Sequence, residues 1–324
     1  MMTLPHRVRI TDVGPRDGLQ NEAGVVPLEA KVAFVNQLAR TGVAEVEASS
    51  FVSPKWVPQL GDAEALFQRI DRPSGVIFSA LVPNERGFDR AMALGEQRPD
   101  KISIFTAASE TFSQRNTNAT IAETIERCAP VVAGAQQAGL PVRVYISCVV
   151  ACPYEGAIAP VKVREVVERL MQLGLDPDGD DFDLGETIGV AAPNDIETLY
   201  DELEDLIEPR QTTLHLHDTR GTALACAYAA MQFGVVRFDA SCGGLGGCPY
   251  APGAAGNLAT EDLVYLCRRM HCETGVSLDR LLVAGRQIAG TLGRSLPGRV
   301  FGAESAAGGG SISVAAESTG RGSS

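Results

Sequence analysis

The chain has 324 residues, of which 45% are hydrophobic, so it is long enough to bury a large core. Its formal net charge of −12 and its pI near 4.9 disfavour nucleic acid and anionic membrane surfaces as partners. Its eight cysteines form no CxxC pair and no apolar run approaches the ~20 residues that span a membrane, so we expect a reduced, cytoplasmic protein that contacts no membrane.

Strand and helix periods alternate along nearly the whole chain, which is typical of an α/β fold with a parallel sheet. The eight predicted strands cover residues 8–13, 43–48, 76–80, 101–105, 142–148, 181–184, 212–217 and 235–240. The predicted helices cover residues 28–39, 62–70, 84–95, 120–139, 161–173, 194–207 and 223–233, and two more begin at Thr260 and Leu278. Eight strand–helix units predict a (β/α)8 TIM barrel with an additional C-terminal helix. A doubly wound sheet is the alternative, but no GxGxxG motif follows the first strand to support it.

The composition changes near residue 302. Residues 303–324 are rich in Gly, Ser and Ala and contain almost no large apolar side chain. Such a segment cannot bury enough surface to offset the entropy lost on ordering. We therefore predict a barrel domain over residues 1–302 and a flexible tail over residues 303–324.

The most informative motif is a pair of histidines at the end of the seventh predicted strand. His215 and His217 are two residues apart, so both side chains project from the same face of the strand. Two imidazoles on one face can bind a metal ion if a carboxylate joins them. The alternative is a pair of strand histidines that only form hydrogen bonds.

The carboxylate candidate follows the first predicted strand. There Asp17 could ligate a metal ion and Arg16 could hold a developing anion, whereas the alternative is a solvated turn. In a TIM barrel the chemistry lies at the C-terminal ends of the strands. Other polar residues predicted at that end are Glu47, Tyr145, Ser147, Glu186 and Thr187. Because all these residues share one end of the barrel, we predict a metal site that includes Asp17, His215 and His217.

A glycine-rich loop follows the eighth predicted strand and leads to Cys248. Such glycine density allows a ligand to approach the backbone closely and allows the loop to hinge. A phosphate-binding loop is disfavoured because the lysine of that motif is missing. We therefore predict a lid that brings Cys248 to the polar residues. After the loop, Asn257 could supply an amide oxygen to the metal ion or could cap the next helix.

Together these segments resemble the 3-hydroxy-3-methylglutaryl-CoA lyase family of the DRE-TIM metallolyases. The resemblance runs from about residue 8 to residue 292, and the motifs that carry it are VGPRDGLQNE at 13–22, SFVSPKWVPQLGD at 50–62, CPYEG at 152–156, HLHDT at 215–219 and GLGGCPYAPGAAGNLATEDLVY at 244–265. The loop around Cys248 is highly specific, because related barrel enzymes that condense acetyl-CoA with keto acids have another sequence there. The resemblance implies a TIM barrel, a divalent cation (Mg²⁺ or Mn²⁺) and a homodimer. It also implies cleavage of 3-hydroxy-3-methylglutaryl-CoA to acetyl-CoA and acetoacetate, in leucine breakdown or another branched-chain route.

The resemblance also implies roles for individual residues. Four side chains are the implied metal ligands: Asp17, His215, His217 and Asn257. Five side chains are the implied catalytic residues: Arg16, Asp17, Glu47, His215 and Cys248. Among them, Arg16 would stabilise the enolate and Glu47 would support the site. The enolate carbon would receive its proton from a histidine at the metal or from the Cys248 thiol.

The acyl group of the substrate is less well defined by the sequence. Four residues are the expected substrate contacts: Arg16, Tyr145, Glu186 and Thr187. Glu186 stands where the family usually has Asp, and its extra methylene could shift a carboxylate that faces the substrate. The same reaction on citramalyl-CoA or a longer branched 3-hydroxyglutaryl-CoA is therefore an alternative. A condensing acyltransferase is disfavoured by HLHDT, where that group usually has HxHND, and a catalytically silent scaffold is disfavoured by the complete set of site residues.

Overall fold

The structure is a computed structural model that describes residues 4–246 and 256–306. Its strands are β1 (Arg9–Asp12), β2 (Glu45–Ser50), β3 (Ile77–Leu81), β4 (Lys101–Ala107), β5 (Val142–Ser147), β6 (Ala151–Cys152), β7 (Gly156–Ala157), β8 (Asp181–Glu186), β9 (Thr212–Leu216) and β10 (Arg237–Ala240). Eight of them form a closed parallel barrel in the order β1-β10-β9-β8-β5-β4-β3-β2, and β6 and β7 form a separate antiparallel hairpin. The predicted TIM barrel is confirmed. The doubly wound alternative is wrong, because β1 pairs with both β2 and β10 and so closes the sheet.

Helices surround the barrel. They are α1 (Leu28–Ala39), α2 (Ala63–Phe67), α3 (Glu85–Met92), α4 (Glu110–Thr117), α5 (Ile121–Gln137), α6 (Pro160–Gln172), α7 (Pro193–Leu203), α8 (Ala223–Phe233), α9 (Thr260–Arg269), α10 (Leu278–Leu292) and α11 (Arg299–Ala306). Caps explain where several begin: the Asn84 side chain accepts from the Gly87 amide, and Thr120 and Glu123 form a capping box. None of the helices in the described ranges is both long and apolar enough to cross a membrane.

Three elements were not predicted from the sequence. Helix α4 is capped by Ser109, whose hydroxyl accepts from the Phe112 amide, and the β6–β7 hairpin follows the end of β5. Helix α11 continues beyond residue 302, where the sequence predicts the end of the barrel domain. The remainder of the predicted tail, residues 307–324, lies outside the described residues.

The interior of the barrel is charged. A TIM barrel is usually filled with branched apolar side chains. Here buried polar side chains from non-adjacent strands meet across the interior; these are Thr11, Glu45, Glu47, Lys101, Arg143, Tyr145, Asp181, Asp183 and Asp239. The apolar residues of the same strands, such as Ile102 and Val144, pack outward against the helices. The strands therefore present a polar face to the barrel axis and an apolar face to the helical layer.

Candidate active site

Three side chains that could bind a metal ion meet at the C-terminal end of the barrel. After β1 the chain forms one π-helical turn, Gly14–Gly18, which carries Asp17. His215 lies in β9, and His217 follows the end of that strand. Only β10 separates β1 from β9 in the barrel, so these two ends are close. One ligand atom each of Asp17, His215 and His217 lies within 4.8 Å of the others.

Each histidine is oriented through its Nδ1 atom. The Nδ1 atom of His215 is 3.1 Å from the Asp239 Oδ2 atom, and that of His217 is 2.8 Å from the Glu186 carbonyl oxygen. A carbonyl oxygen only accepts, so the Nδ1 atom of His217 carries the hydrogen. In each ring the Nε2 atom is left as the nitrogen that a metal ion can use. Metal-binding histidines are usually oriented by such an outer hydrogen bond.

Asn257 contacts the metal-binding cluster. Its Nδ2 atom donates to the Asp17 Oδ2 atom at 2.9 Å and to the Leu245 carbonyl oxygen at 3.0 Å. Its Oδ1 atom is buried and has no hydrogen-bond partner among the described residues. The helix-cap alternative is wrong, because α9 begins at Thr260 with Ala259 as its N-cap. A buried amide oxygen without a partner, next to a carboxylate and two imidazoles, fits a divalent cation.

Arg16 and Asp17 form a part-buried ion pair rather than a solvated turn, with side chains 8% and 24% exposed. Arg16 is 6% exposed, and its Nη1 atom donates to the Asp17 Oδ1 atom at 2.7 Å. Burial alone would raise the pKa of Asp17, but the Arg16 guanidinium and the two histidines lower it to about 2. Asp17 is therefore an anion at neutral pH, as a metal ligand must be.

The two histidines differ in their electrostatic environment. Burial and the adjacent His215 ring lower the pKa of His217 to about 4, so this imidazole is neutral at pH 7. Burial also disfavours the charged form of His215, but its hydrogen bond to Asp239 and the charge of that carboxylate raise the pKa of His215. The neutral His217 ring is ready to ligate a metal ion.

Glu47 and Tyr145 contact the Arg16 side chain and fix its position. The Nε atom of Arg16 donates to the Glu47 Oε2 atom at 2.5 Å, and the Tyr145 hydroxyl donates to the same oxygen at 3.0 Å. The guanidinium carbon lies 5.1 Å from the centroid of the Tyr145 ring, which is a cation–π distance. The same ring forms a T-shaped contact with His215, with centroids 6.2 Å apart. Tyr145 thus lies between the Arg16 side and the histidine side of the site.

Glu186 and Thr187 make contacts within the protein. The Glu186 carboxylate is buried and accepts from the backbone amides of Gly189 and Val190 at 2.7 and 3.1 Å. The Thr187 hydroxyl accepts from the Cys148 amide at 2.8 Å. Both Glu186 oxygens are therefore occupied by the following turn, and these hydrogen bonds do not favour the predicted contact between this carboxylate and the substrate. A substrate role for Thr187 stays a prediction.

Two buried residues of the site, Asp239 and Arg143, were not predicted from the sequence. Asp239 holds His215, and Arg143 holds Asp239 through a hydrogen bond of 2.9 Å. Both lie at inward positions of their strands, and a signal was present, because β5 and β10 alternate polar and apolar residues. Cys248, the predicted catalytic residue of the lid, lies outside the described residues.

Comparisons with known proteins point to one family. The family model described as HMGL-like matches residues 7–288. The mitochondrial hydroxymethylglutaryl-CoA lyase of Macaca fascicularis is 44% identical over 300 residues, which cover 93% of this chain and 90% of that protein. The solved structure of the HMG-CoA lyase of Bacillus subtilis superposes with a TM-score of 0.90 at 43% identity, over 94% of this chain and 100% of that one. An HMG-CoA lyase of Acinetobacter baumannii in complex with coenzyme A and 3-methylmalate superposes with a TM-score of 0.86 at 34% identity, over 98% and 99% of the two chains.

Proposed function

The chain belongs to the HMGL-like family, and from this premise we propose that it is a carbon–carbon lyase that cleaves 3-hydroxy-3-methylglutaryl-CoA to acetyl-CoA and acetoacetate. The observation that carries the proposal is the cluster of Asp17, His215 and His217 next to the buried Arg16 guanidinium. This reaction needs a site for a tertiary alkoxide and a cationic partner for a thioester enolate. Such an activity belongs to leucine breakdown or a similar branched-chain route.

We propose that the cluster holds Mg²⁺ or Mn²⁺. Four side chains would ligate it: Asp17, His215, His217 and Asn257. When bound there, such a cation supplies Lewis acidity, which lowers the pKa of a hydroxyl that it contacts. The support is the mixed set of oxygen and nitrogen donors, with Asp17 ionised and His217 neutral at pH 7.

Arg16 would stabilise the enolate. As the hydroxyl loses its proton, the bond between C2 and C3 breaks, C3 becomes the ketone of acetoacetate, and the electron pair stays on the acetyl thioester. The enolate oxygen then carries negative charge, and a guanidinium fixed by Glu47 and Asp17 is a preorganised partner for it. The C2 carbon finally takes a proton from the Cys248 thiol, and acetyl-CoA is formed. His215 is the less suitable donor, because its Nδ1 atom is engaged with Asp239 and its Nε2 atom would ligate the cation.

A substrate panel tests the proposal. Purified full-length protein with Mg²⁺ or Mn²⁺ is incubated with 3-hydroxy-3-methylglutaryl-CoA, citramalyl-CoA and a longer branched 3-hydroxyglutaryl-CoA, and acetyl-CoA and the keto product are quantified. We expect the highest kcat/KM with the first substrate, and we expect Asp17→Asn to abolish cleavage while the exposed Asp71→Asn has no effect.

The other outcomes of the panel each contradict the proposal in a different way. A higher kcat/KM with another acyl-CoA would keep the reaction and change the substrate. A parallel incubation contains acetyl-CoA and a keto acid. Release of free CoA there, with no cleavage of any acyl-CoA in the panel, would establish a condensing transferase.

A homodimer and a cytoplasmic location are further parts of the proposal. The family resemblance supports the homodimer, and light scattering after size exclusion should then give twice the chain mass of 34.2 kDa. The seven cysteines of the described ranges are all free thiols, which supports a reducing compartment. Fractionation of the source cells would test the location.

A further inference from the structure

Arg143 is a fully buried cation at the centre of the barrel. It lies in β5, its side chain is 1% exposed, and it is among the largest fully buried side chains of the described residues. Removing a guanidinium from water is unfavourable unless several acceptors replace the water. The acceptors of Arg143 come from four different strands, so they show what this cation holds together.

The first set of contacts leads to the metal-binding histidine. The Nη1 atom of Arg143 donates to the Asp239 Oδ1 atom at 2.9 Å, and the other oxygen of that carboxylate is 3.1 Å from the Nδ1 atom of His215. Asp239 is 1% exposed, so no bulk water can replace either partner. Arg143 therefore fixes the carboxylate that fixes the orientation of His215.

The second set of contacts leads to Arg16. The Nη1 atom of Arg143 also donates to the Tyr145 hydroxyl oxygen at 3.2 Å. Because this oxygen accepts from Arg143, its own hydrogen is directed to the Glu47 Oε2 atom, 3.0 Å away. The same Glu47 oxygen accepts from the Nε atom of Arg16. Arg143 thus fixes the tyrosine and, through it, the carboxylate that holds Arg16.

The remaining nitrogens of Arg143 are fixed on the opposite side. The Nη2 atom donates to the Thr11 Oγ1 atom at 2.8 Å and to the Asp181 Oδ2 atom at 3.2 Å, and the Nε atom donates to that same carboxylate oxygen at 3.3 Å. The guanidinium plane therefore cannot rotate. A lysine in its place has one nitrogen and cannot reach all of these acceptors.

We propose that Arg143 is a positioning residue that couples the two halves of the active site, His215 through Asp239, and Arg16 through Tyr145 and Glu47. The proposal rests on the lyase function above. It assigns Arg143 no contact with the substrate. It predicts that a substitution of Arg143 impairs both cation binding and the chemical step. A substitution of Asp239 should impair only cation binding, and a substitution of Tyr145 should impair only the chemical step.

The test measures Mn²⁺ affinity without substrate, by electron paramagnetic resonance of free Mn²⁺, and kcat at saturating Mn²⁺. Asp239→Asn should weaken Mn²⁺ binding ~10–100-fold, the usual effect of losing an outer partner of a ligand. Tyr145→Phe should leave the Mn²⁺ affinity unchanged and lower kcat. Arg143→Lys should both weaken Mn²⁺ binding and lower kcat. Lys31→Met is the matched control, because Lys31 is a buried cation whose ion pair is with Asp62 and which shares no partner with Arg143; it should leave the Mn²⁺ affinity unchanged.

The outcomes separate this inference from the proposed function. If the wild-type protein neither binds Mn²⁺ nor cleaves the substrate, the proposed function is wrong. If the wild type does both and a folded Arg143→Lys protein keeps its affinity and kcat, the coupling role is wrong. If Arg143→Lys does not fold, the single-pathway variants decide: unchanged Mn²⁺ affinity in Asp239→Asn or unchanged kcat in Tyr145→Phe overturns the inference.

Discussion

Arg16→Lys is the substitution whose effect follows most directly from the site geometry. The Nε atom of Arg16 donates to Glu47 at 2.5 Å and its Nη1 atom donates to Asp17 at 2.7 Å. The guanidinium plane is therefore fixed before the substrate binds. A lysine keeps the charge but has one nitrogen, which cannot hold both carboxylates and also meet an enolate oxygen. Loss of one preorganised donor at a developing oxyanion lowers kcat ~10²–10³-fold, about 2.7–4 kcal/mol of transition-state stabilisation. We expect a loss of kcat in that range.

The assay is the initial rate of acetyl-CoA formation at saturating substrate and Mn²⁺, with Mn²⁺ affinity measured in parallel. Arg16 also donates to the proposed ligand Asp17, so any fall in Mn²⁺ affinity is measured separately and kcat is compared only at saturating Mn²⁺. Arg90→Lys is the matched control: Arg90 also forms a two-pronged ion pair, with Glu64, but outside the site, and its loss should leave kcat unchanged. A kcat of Arg16→Lys within about 5-fold of wild type would refute the assignment of the enolate to Arg16.

Three further predictions follow from single contacts. Asn257→Ala removes an unpartnered amide oxygen and the donor to Asp17, so Mn²⁺ binding should weaken ~10–100-fold in a titration; an unchanged affinity would exclude Asn257 from the metal site. Burial raises the pKa of Glu261 from 4.5 to about 8, so its stabilising contribution is complete below pH 4.5 and is lost as the pH rises to about 8. Between pH 4.5 and 8 the free energy of unfolding of the wild type, measured in urea, should fall relative to that of Glu261→Gln by about 1.4 kcal/mol per pH unit. If the two proteins show the same dependence of unfolding free energy on pH, the burial effect is contradicted. Gly189→Ala should lose about 1–3 kcal/mol of unfolding free energy, because φ is +63° and the new Cβ would lie 2.5 Å from the Thr219 side chain. Gly75→Ala, with φ +87° but no atom within 4 Å, should lose less, and equal losses would contradict the steric argument.

The barrel could be predicted because its signals are local. Apolar periods of two and of 3.6 residues mark the eight barrel strands and most of the helices, and caps such as Asn84 and the Thr120–Glu123 box mark where helices begin. Helix α4 was missed because its sequence, ETFSQRNT, has too few apolar residues to show a helical period. Its start depends on Ser109, which also donates to the Glu155 carboxylate 46 residues away. A contact over that separation has no local signal.

The site was predictable where neighbours in sequence share a face. His215 and His217 follow from strand alternation, and Asp17 follows once β1 and β9 are placed in one barrel. The orientation of Glu186 was not predictable, because two amides of the following turn decide it. Arg143 and Asp239 were missed because an apolar interior is the usual expectation for a TIM barrel, and their contact joins residues 96 positions apart.

The chelator sensitivity of cleavage tests the central claim most directly. Acetyl-CoA release from 3-hydroxy-3-methylglutaryl-CoA is followed before EDTA, after EDTA, and after Mg²⁺ or Mn²⁺ is returned in excess. Our account predicts that EDTA abolishes release and that the returned cation restores it, because Asp17, His215 and His217 form a metal site. Cleavage that continues at full rate in protein verified to be free of metal would contradict the account.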